Sequence, residues 1–177
     1  MRVPSLVRFA VPALLVGAGF CVLAVSARAG DAPAAPRKVE SAFLRGFAGD
    51  WDTEMTEGKL GKNRGNAKWQ LTLGETALEE DYSSSITGAD GKATPWRVRV
   101  VAREVGGGKV EAWLFDTRRV APIHFAGTLT DTGFDVAGET SEAKFRVACE
   151  KKGENREFRM WRDDAVVLVE THRPAAR

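Results

Sequence analysis

From residue 51 onward, apolar and polar residues take turns along the chain. "KWQLTL" (Lys68–Leu73) sets Trp69, Leu71 and Leu73 against Lys68, Gln70 and Thr72. "WRVRVVAR" sets Trp96, Val98, Val100 and Ala102 against Arg97, Arg99 and Arg103. "KFRVACE" from Lys144 and "EFRMWRD" from Glu157 keep the same rhythm, and "AVVLVETHR" from Ala165 is apolar at its start and polar at its end. A period of two is that of a strand with one buried face. Turn-forming clusters punctuate the runs at Gly61–Gly65, Gly74-Glu75, Asp90-Gly91, Gly106–Gly108, Pro122, Asp131–Gly133, Gly138, Gly153–Asn155 and Asp163-Asp164. That spacing predicts sequential antiparallel strands rather than strand–helix–strand units. Ten are expected: 49–57, 66–74, 77–86, 94–104, 109–118, 122–130, 133–138, 143–151, 155–162 and 165–173.

Ten short strands in an open sheet would leave two unpaired edges, a standing hazard for aggregation. An up-and-down antiparallel β-barrel removes both and suits the short connections. A two-sheet sandwich is the runner-up, but it would need long crossovers that the turn spacing does not offer. Ahead of the strands the period changes. Val39, Phe43, Leu44 and Phe47 fall at spacings near four, which predicts a short helix within 37–47 with one apolar face.

Composition adds the compartment. Arg2 and Arg8, the apolar run Phe9–Val25 and the Ala27-Arg28-Ala29 cleavage site make residues 1–29 a secretory signal peptide, cleaved after Ala29. The alternative is an uncleaved N-terminal anchor. Residues 30–36, "GDAPAAP", read as a linker, and 37–177 as one barrel domain, expected to be a periplasmic or secreted monomer without stable membrane insertion. The whole chain has 26 basic and 24 acidic residues, but the signal holds three arginines and no acid. The exported part is therefore nearly neutral and has no basic block for nucleic acid, so no nucleic-acid partner is expected. Of two cysteines only Cys149 remains after cleavage, alternating with Phe145 and Val147 as a buried small hydrophobe would.

The opening of the barrel carries a resemblance. Leu44 to Trp51 reads L-x-x-x-x-G-x-W, Phe115-Asp116 closes a middle strand, and Glu170 to Arg173 gives Glu-x-x-Arg on the last strand. The chain resembles the calycin superfamily, which includes the lipocalins, fatty-acid-binding proteins and nitrobindin. It is most similar there to exported bacterial lipocalin-like proteins of unknown function. The resemblance spans about residues 40–173 and implies a small ligand in the lumen. It also implies a structural floor made by Gly49, Trp51 and Arg173. In a closed meander the first and last strands pair, so the Arg173 guanidinium is expected to stack on the Trp51 indole.

Candidate chemistry is sparse. His124 and His172 are the only histidines, and no Cys/His cluster suggests zinc, so neither a metal nor another cofactor is expected. Nitrobindin brings haem to mind, but its glycine-rich continuation is missing after Trp51, and an inward Arg173 would turn His172 outward. Ser83–Ser85 lack a nucleophile elbow, and Asp163-Asp164 lies where a turn is expected. Arg97, Arg99 and Arg103 share the polar side of their strand and read as a solvated outer wall. The odd strand is "LEEDYSSS" (Leu78–Ser85), neither side of which is apolar throughout. With Leu78 and Tyr82 inward, Glu80 comes inward too, and an unpaired inward carboxyl is costly. The expected lumen residues are Trp69, Glu80, Tyr82, Trp96, Val98 and Trp113, around a small apolar or amphipathic ligand. The alternatives are a lipocalin-type isomerase or hydrolase using lumen acid and base groups, or an envelope protein-interaction module.

Overall fold

The computed structural model describes residues 36–57, 63–87 and 91–176. Residues 1–29, expected to be a signal peptide, and all but Pro36 of the expected linker lie outside the described residues. The alternating runs form β1 (Gly49–Glu57), β2 (Asn63–Thr72), β3 (Ala77–Thr87), β4 (Ala93–Gly106) and β5 (Lys109–Asp116). They continue as β6 (Ile123–Leu129), β7 (Gly133–Glu139), β8 (Lys144–Lys152), β9 (Asn155–Arg162) and β10 (Ala165–Pro174). Every strand pairs antiparallel with its sequence neighbours, and β1 pairs with β10 through Trp51↔Pro174 and Thr53↔His172. The sheet thus closes into a ten-stranded up-and-down barrel, the expected fold class. Among the described residues no strand is left with a free edge to aggregate through.

Alternation decides what faces inward. On β4, Trp96, Val98 and Ala102 are buried while Arg97, Arg99 and Arg103 are exposed. Two of these arginines meet carboxylates across the outer wall, Arg99 with Asp81 at 2.9 Å and Arg103 with Glu111 at 3.2 Å. Exposed pairs of this kind add little stability. Between β6 and β7 the backbones come too close for side chains: a Cβ on Gly127 would lie 2.0 Å from the Asp135 carbonyl oxygen, and one on Gly138 would lie 2.2 Å from that of His124. Asp163 and Asp164 form the β9–β10 turn with φ of 48° and 68°, a left-handed pair suited to a two-residue hairpin. The Asp163 carboxylate accepts the Lys144 backbone N–H at 2.9 Å, so this acidic pair serves the turn.

The predicted helix shrinks to one turn, α1 (Ala42–Arg45). Its start is capped by Ser41 Oγ, which accepts from the Leu44 N–H at 3.3 Å. Its reach is limited by Gly46 and by the need to deliver the chain into β1. The apolar face is nevertheless the expected one: Val39, Phe43, Leu44 and Phe47 are all buried, closing one end of the barrel. Glu104 near the end of β4 fixes this plug by accepting the N–H groups of Glu40 and Ser41, each at 2.9 Å.

Candidate functional site: the barrel lumen

The floor is aromatic. The Phe43 and Phe47 rings meet edge to face at 5.2 Å, Phe47 lies 4.8 Å from Trp69, and the Trp51 indole N–H donates to the Phe47 carbonyl at 2.6 Å. The cation over this cluster is not Arg173. It is Arg156 of β9, whose guanidinium lies 5.4 Å from the rings of Phe43, Phe47 and Trp51. Arg156 is only 6% exposed and donates to the carbonyls of Glu154 and Asn155 at 3.2 and 3.0 Å. Arg173 lies opposite Asp52 in the β1–β10 register, points outward and pairs with Glu54 at 2.8 Å. The expected Trp51–Arg173 stack is therefore replaced by a Trp51–Arg156 one. Parity is the reason. Leu168, Glu170 and His172 take the inward face of β10, which leaves Arg173 outside and brings His172 in at 2% exposure, opposite to expectation.

Trp96 lies near the start of β4, whereas Glu104, which holds the plug, lies near its end, so Trp96 marks the other end of the lumen. Its indole N–H donates to Asp116 at 3.1 Å, and Arg118 lies over its ring at 4.5 Å while pairing with Asp116 at 2.7 Å. Burial alone would raise the Asp116 carboxyl. The hydrogen bonds and charge of Arg118, with the Trp96 N–H, outweigh that and hold it below its ordinary value. Arg119 and Arg162 lie over the Phe145 ring at 5.0 and 6.0 Å, so this end is rimmed by arginine on aromatic.

Between the two ends is a cavity of about 120 Å³, walled mostly by apolar side chains such as Val98, Leu114, Phe125 and Leu168. Of the residues expected in the lumen, Trp69, Glu80, Tyr82, Trp96 and Val98 line it. Trp113 does not. On β5 the inward residues are Ala112 and Leu114, and Trp113 sits on the outer face against His124 at 5.0 Å, with Arg103 4.9 Å above its ring.

One wall of the cavity is polar. Tyr82 of β3 donates its hydroxyl to Glu170 Oε1 of β10 at 2.8 Å. The second oxygen, Oε2, lies 3.3 Å from His172 Nε2, and the His172 ring packs 4.3 Å from Phe158. Burial, and then the Glu170 charge, push the Tyr82 phenol well above its ordinary range, so it remains a neutral donor. Glu80 is 7% exposed and lines the same cavity, yet its carboxyl has no hydrogen bond among the described residues. Burial lifts it well above the usual carboxylate range, and the charges of Glu170 and Asp81 add to that. His172 Nδ1 and Trp69 Nε1 are also buried without a partner among the described residues. Cys149 is 1% exposed and its thiol is pushed up by burial, which leaves it unreactive.

Glu170 and His172 belong to this wall although sequence reasoning did not place them there. Their signal was the shared parity with Leu168. The same strand offers Val167 and Val169 on the opposite parity, which masked it. Arg156 had a clearer mark, being in phase with Phe158 and Met160. Among the described residues no three His, Cys, Asp or Glu side chains converge as a metal site would require. In comparisons with known proteins, no family model and no curated protein matches the chain.

Proposed function

We propose that this barrel binds one small, mostly apolar molecule in its lumen, as the resemblance to lipocalin-like proteins implies, and that it does so outside the cytoplasm after removal of residues 1–29. The observation that carries the reading is the cavity of about 120 Å³ with apolar walls and one cluster of polar groups. Pockets for small ligands are built in this way, apolar surface supplying affinity and a few polar groups setting orientation. An engineered apolar cavity of about 150 Å³ holds benzene, so a body of roughly six carbons fits the scale. Trp69 and Trp96 line the cavity and serve as reporters. Titration with small apolar probes should shift or quench tryptophan emission saturably. Filling the cavity with Val98→Phe should abolish that response while leaving the β-rich circular dichroism unchanged. A wild-type protein that shows no saturable response at millimolar probe would exclude the reading.

The Tyr82–Glu170–His172 chain favours a second one. A phenol, a carboxylate and an imidazole in hydrogen-bonded sequence can move a proton within a dry site, which suits an isomerase. Exchange of solvent deuterium into a bound carbonyl compound, lost in His172→Gln, would support it.

A further inference from the structure

We propose that the lumen selects small apolar amines, bound as the ammonium with Glu80 as counter-ion. This rests on the lumen-binding reading and names its ligand class.

The argument begins with what each buried charge already has. Glu170 uses one oxygen on the Tyr82 hydroxyl and the other on His172. Arg156, the cation of the floor, is engaged by three aromatic faces and two backbone carbonyls, and pairs with neither lumen carboxyl. Of the two carboxyls that line the cavity, Glu80 is the one with no hydrogen-bond partner among the described residues. A second carboxyl in the same cavity makes its potential negative, which repels an anion and attracts a cation. The rings around it suit an ammonium as well. Tyr82 and Trp96 meet edge to face at 5.3 Å, and Trp69 lies directly across from Glu80 in the β2–β3 register. Aromatic faces attract a cation and also cover its hydrocarbon body. An amine of about six or seven carbons therefore meets every feature of the cavity: its size, its apolar walls and its one unpaired acid.

The proton balance follows. In the empty barrel burial favours the protonated form of Glu80. An arriving ammonium stabilises the carboxylate, so the proton leaves to solvent and a carboxylate–ammonium pair remains. The titratable groups that line the cavity with Glu80 are Tyr82 on β3, Glu170 and His172 on β10, and Arg159 on β9, whose half-exposed side chain pairs with Glu157 at 3.5 Å. Arg156 on β9 and Cys149 on β8 are buried outside the lining. The residues that β4 to β7 contribute to the cavity are Trp96, Val98, Val100, Ala112, Leu114, Phe125, Phe134 and Val136, none of which carries a charge. Apparent affinity should thus rise with pH until the amine itself loses its proton.

Three probes of one shape and three charges test this on the signal-free protein: benzylamine, benzyl alcohol and benzoate, titrated calorimetrically and by tryptophan fluorescence. Benzylamine should bind about tenfold more tightly than benzyl alcohol, as expected for a hydrogen bond to a charged group, and benzoate weakest. In Glu80→Gln the amine-to-alcohol ratio should fall to about one. Calorimetry of the wild type in buffers of different ionisation enthalpy should show close to one proton released per benzylamine. Benzyl alcohol matching benzylamine, a preference that survives Glu80→Gln, or binding without proton release would each overturn the amine assignment and leave lumen binding standing. If none of the three binds, lumen binding falls as well.

Discussion

Arg156 and Glu80 are buried to nearly the same extent, 6% and 7% exposed, in one barrel, yet their surroundings differ completely. Arg156 is surrounded by Phe43, Phe47 and Trp51 and by two carbonyl acceptors, with its Nε buried without a hydrogen bond among the described residues. Glu80 faces a cavity. A buried charge with its partners in place is part of the architecture, because removing any partner leaves the remaining group desolvated and unpaired. A buried acid with no partner is a cost that folding alone does not explain, and such groups concentrate at functional sites. The contrast separates a structural floor from a candidate binding wall more sharply than residue type does.

The largest effect should come from the floor. Trp51→Ala should destabilise the protein by about 3–5 kcal/mol in chemical denaturation, the range for losing a buried large aromatic side chain. A double-mutant cycle should then find Trp51 coupled to Arg156 by about 0.5–2 kcal/mol, the scale of a partly desolvated cation–π contact. Coupling of Trp51 to Arg173 instead would reverse the assignment of the floor cation.

The lumen should respond with the opposite sign. The Glu80 pKa is raised on folding, so the native state keeps a proton that the unfolded chain loses near the ordinary glutamate value of about 4.3. That contribution is fully present below this pH and is lost as pH rises towards the folded pKa. Glu80→Gln should therefore stabilise the barrel above about pH 4.3, by up to about 1.4 kcal/mol for each pH unit until the raised pKa is passed. Equal stability of the two proteins at pH 4 and at pH 8 would mean that the carboxyl is not desolvated. The smallest effect belongs to the outer wall. Arg173→Ala removes a half-exposed pair with Glu54 and should change stability by less than about 1 kcal/mol.

Strand positions were legible because alternation and turn residues report directly on the pleat: no observed strand boundary departs by more than three residues from expectation. The helix was overestimated because Val39 to Phe47 has a helical apolar spacing, yet much of that burial comes from a chain crossing the barrel end. Within the site, Glu80 and Tyr82 were legible through their parity with Leu78. Trp113 was not, because both faces of "EAWLF" carry apolar residues and its outer side is covered by Arg103 and His124. His172 and Arg173 exchanged sides for a similar reason. The apolar start of β10 fits either parity, and only the closed register with β1 selects one.

That register has a kinetic side. Pairing Trp51 with Pro174 joins β1 to β10, so the ring cannot shut until the chain has been made through β10. Before then β1 and β10 are both open edges, and non-local pairings of this length are formed slowly and leave a folding intermediate prone to aggregate. Glu170 and His172 travel on the closing strand, so the polar wall of the cavity is the last part of the site to be assembled. A ligand that contacts that wall would bind only the finished ring and would draw late, nearly closed molecules toward it by mass action.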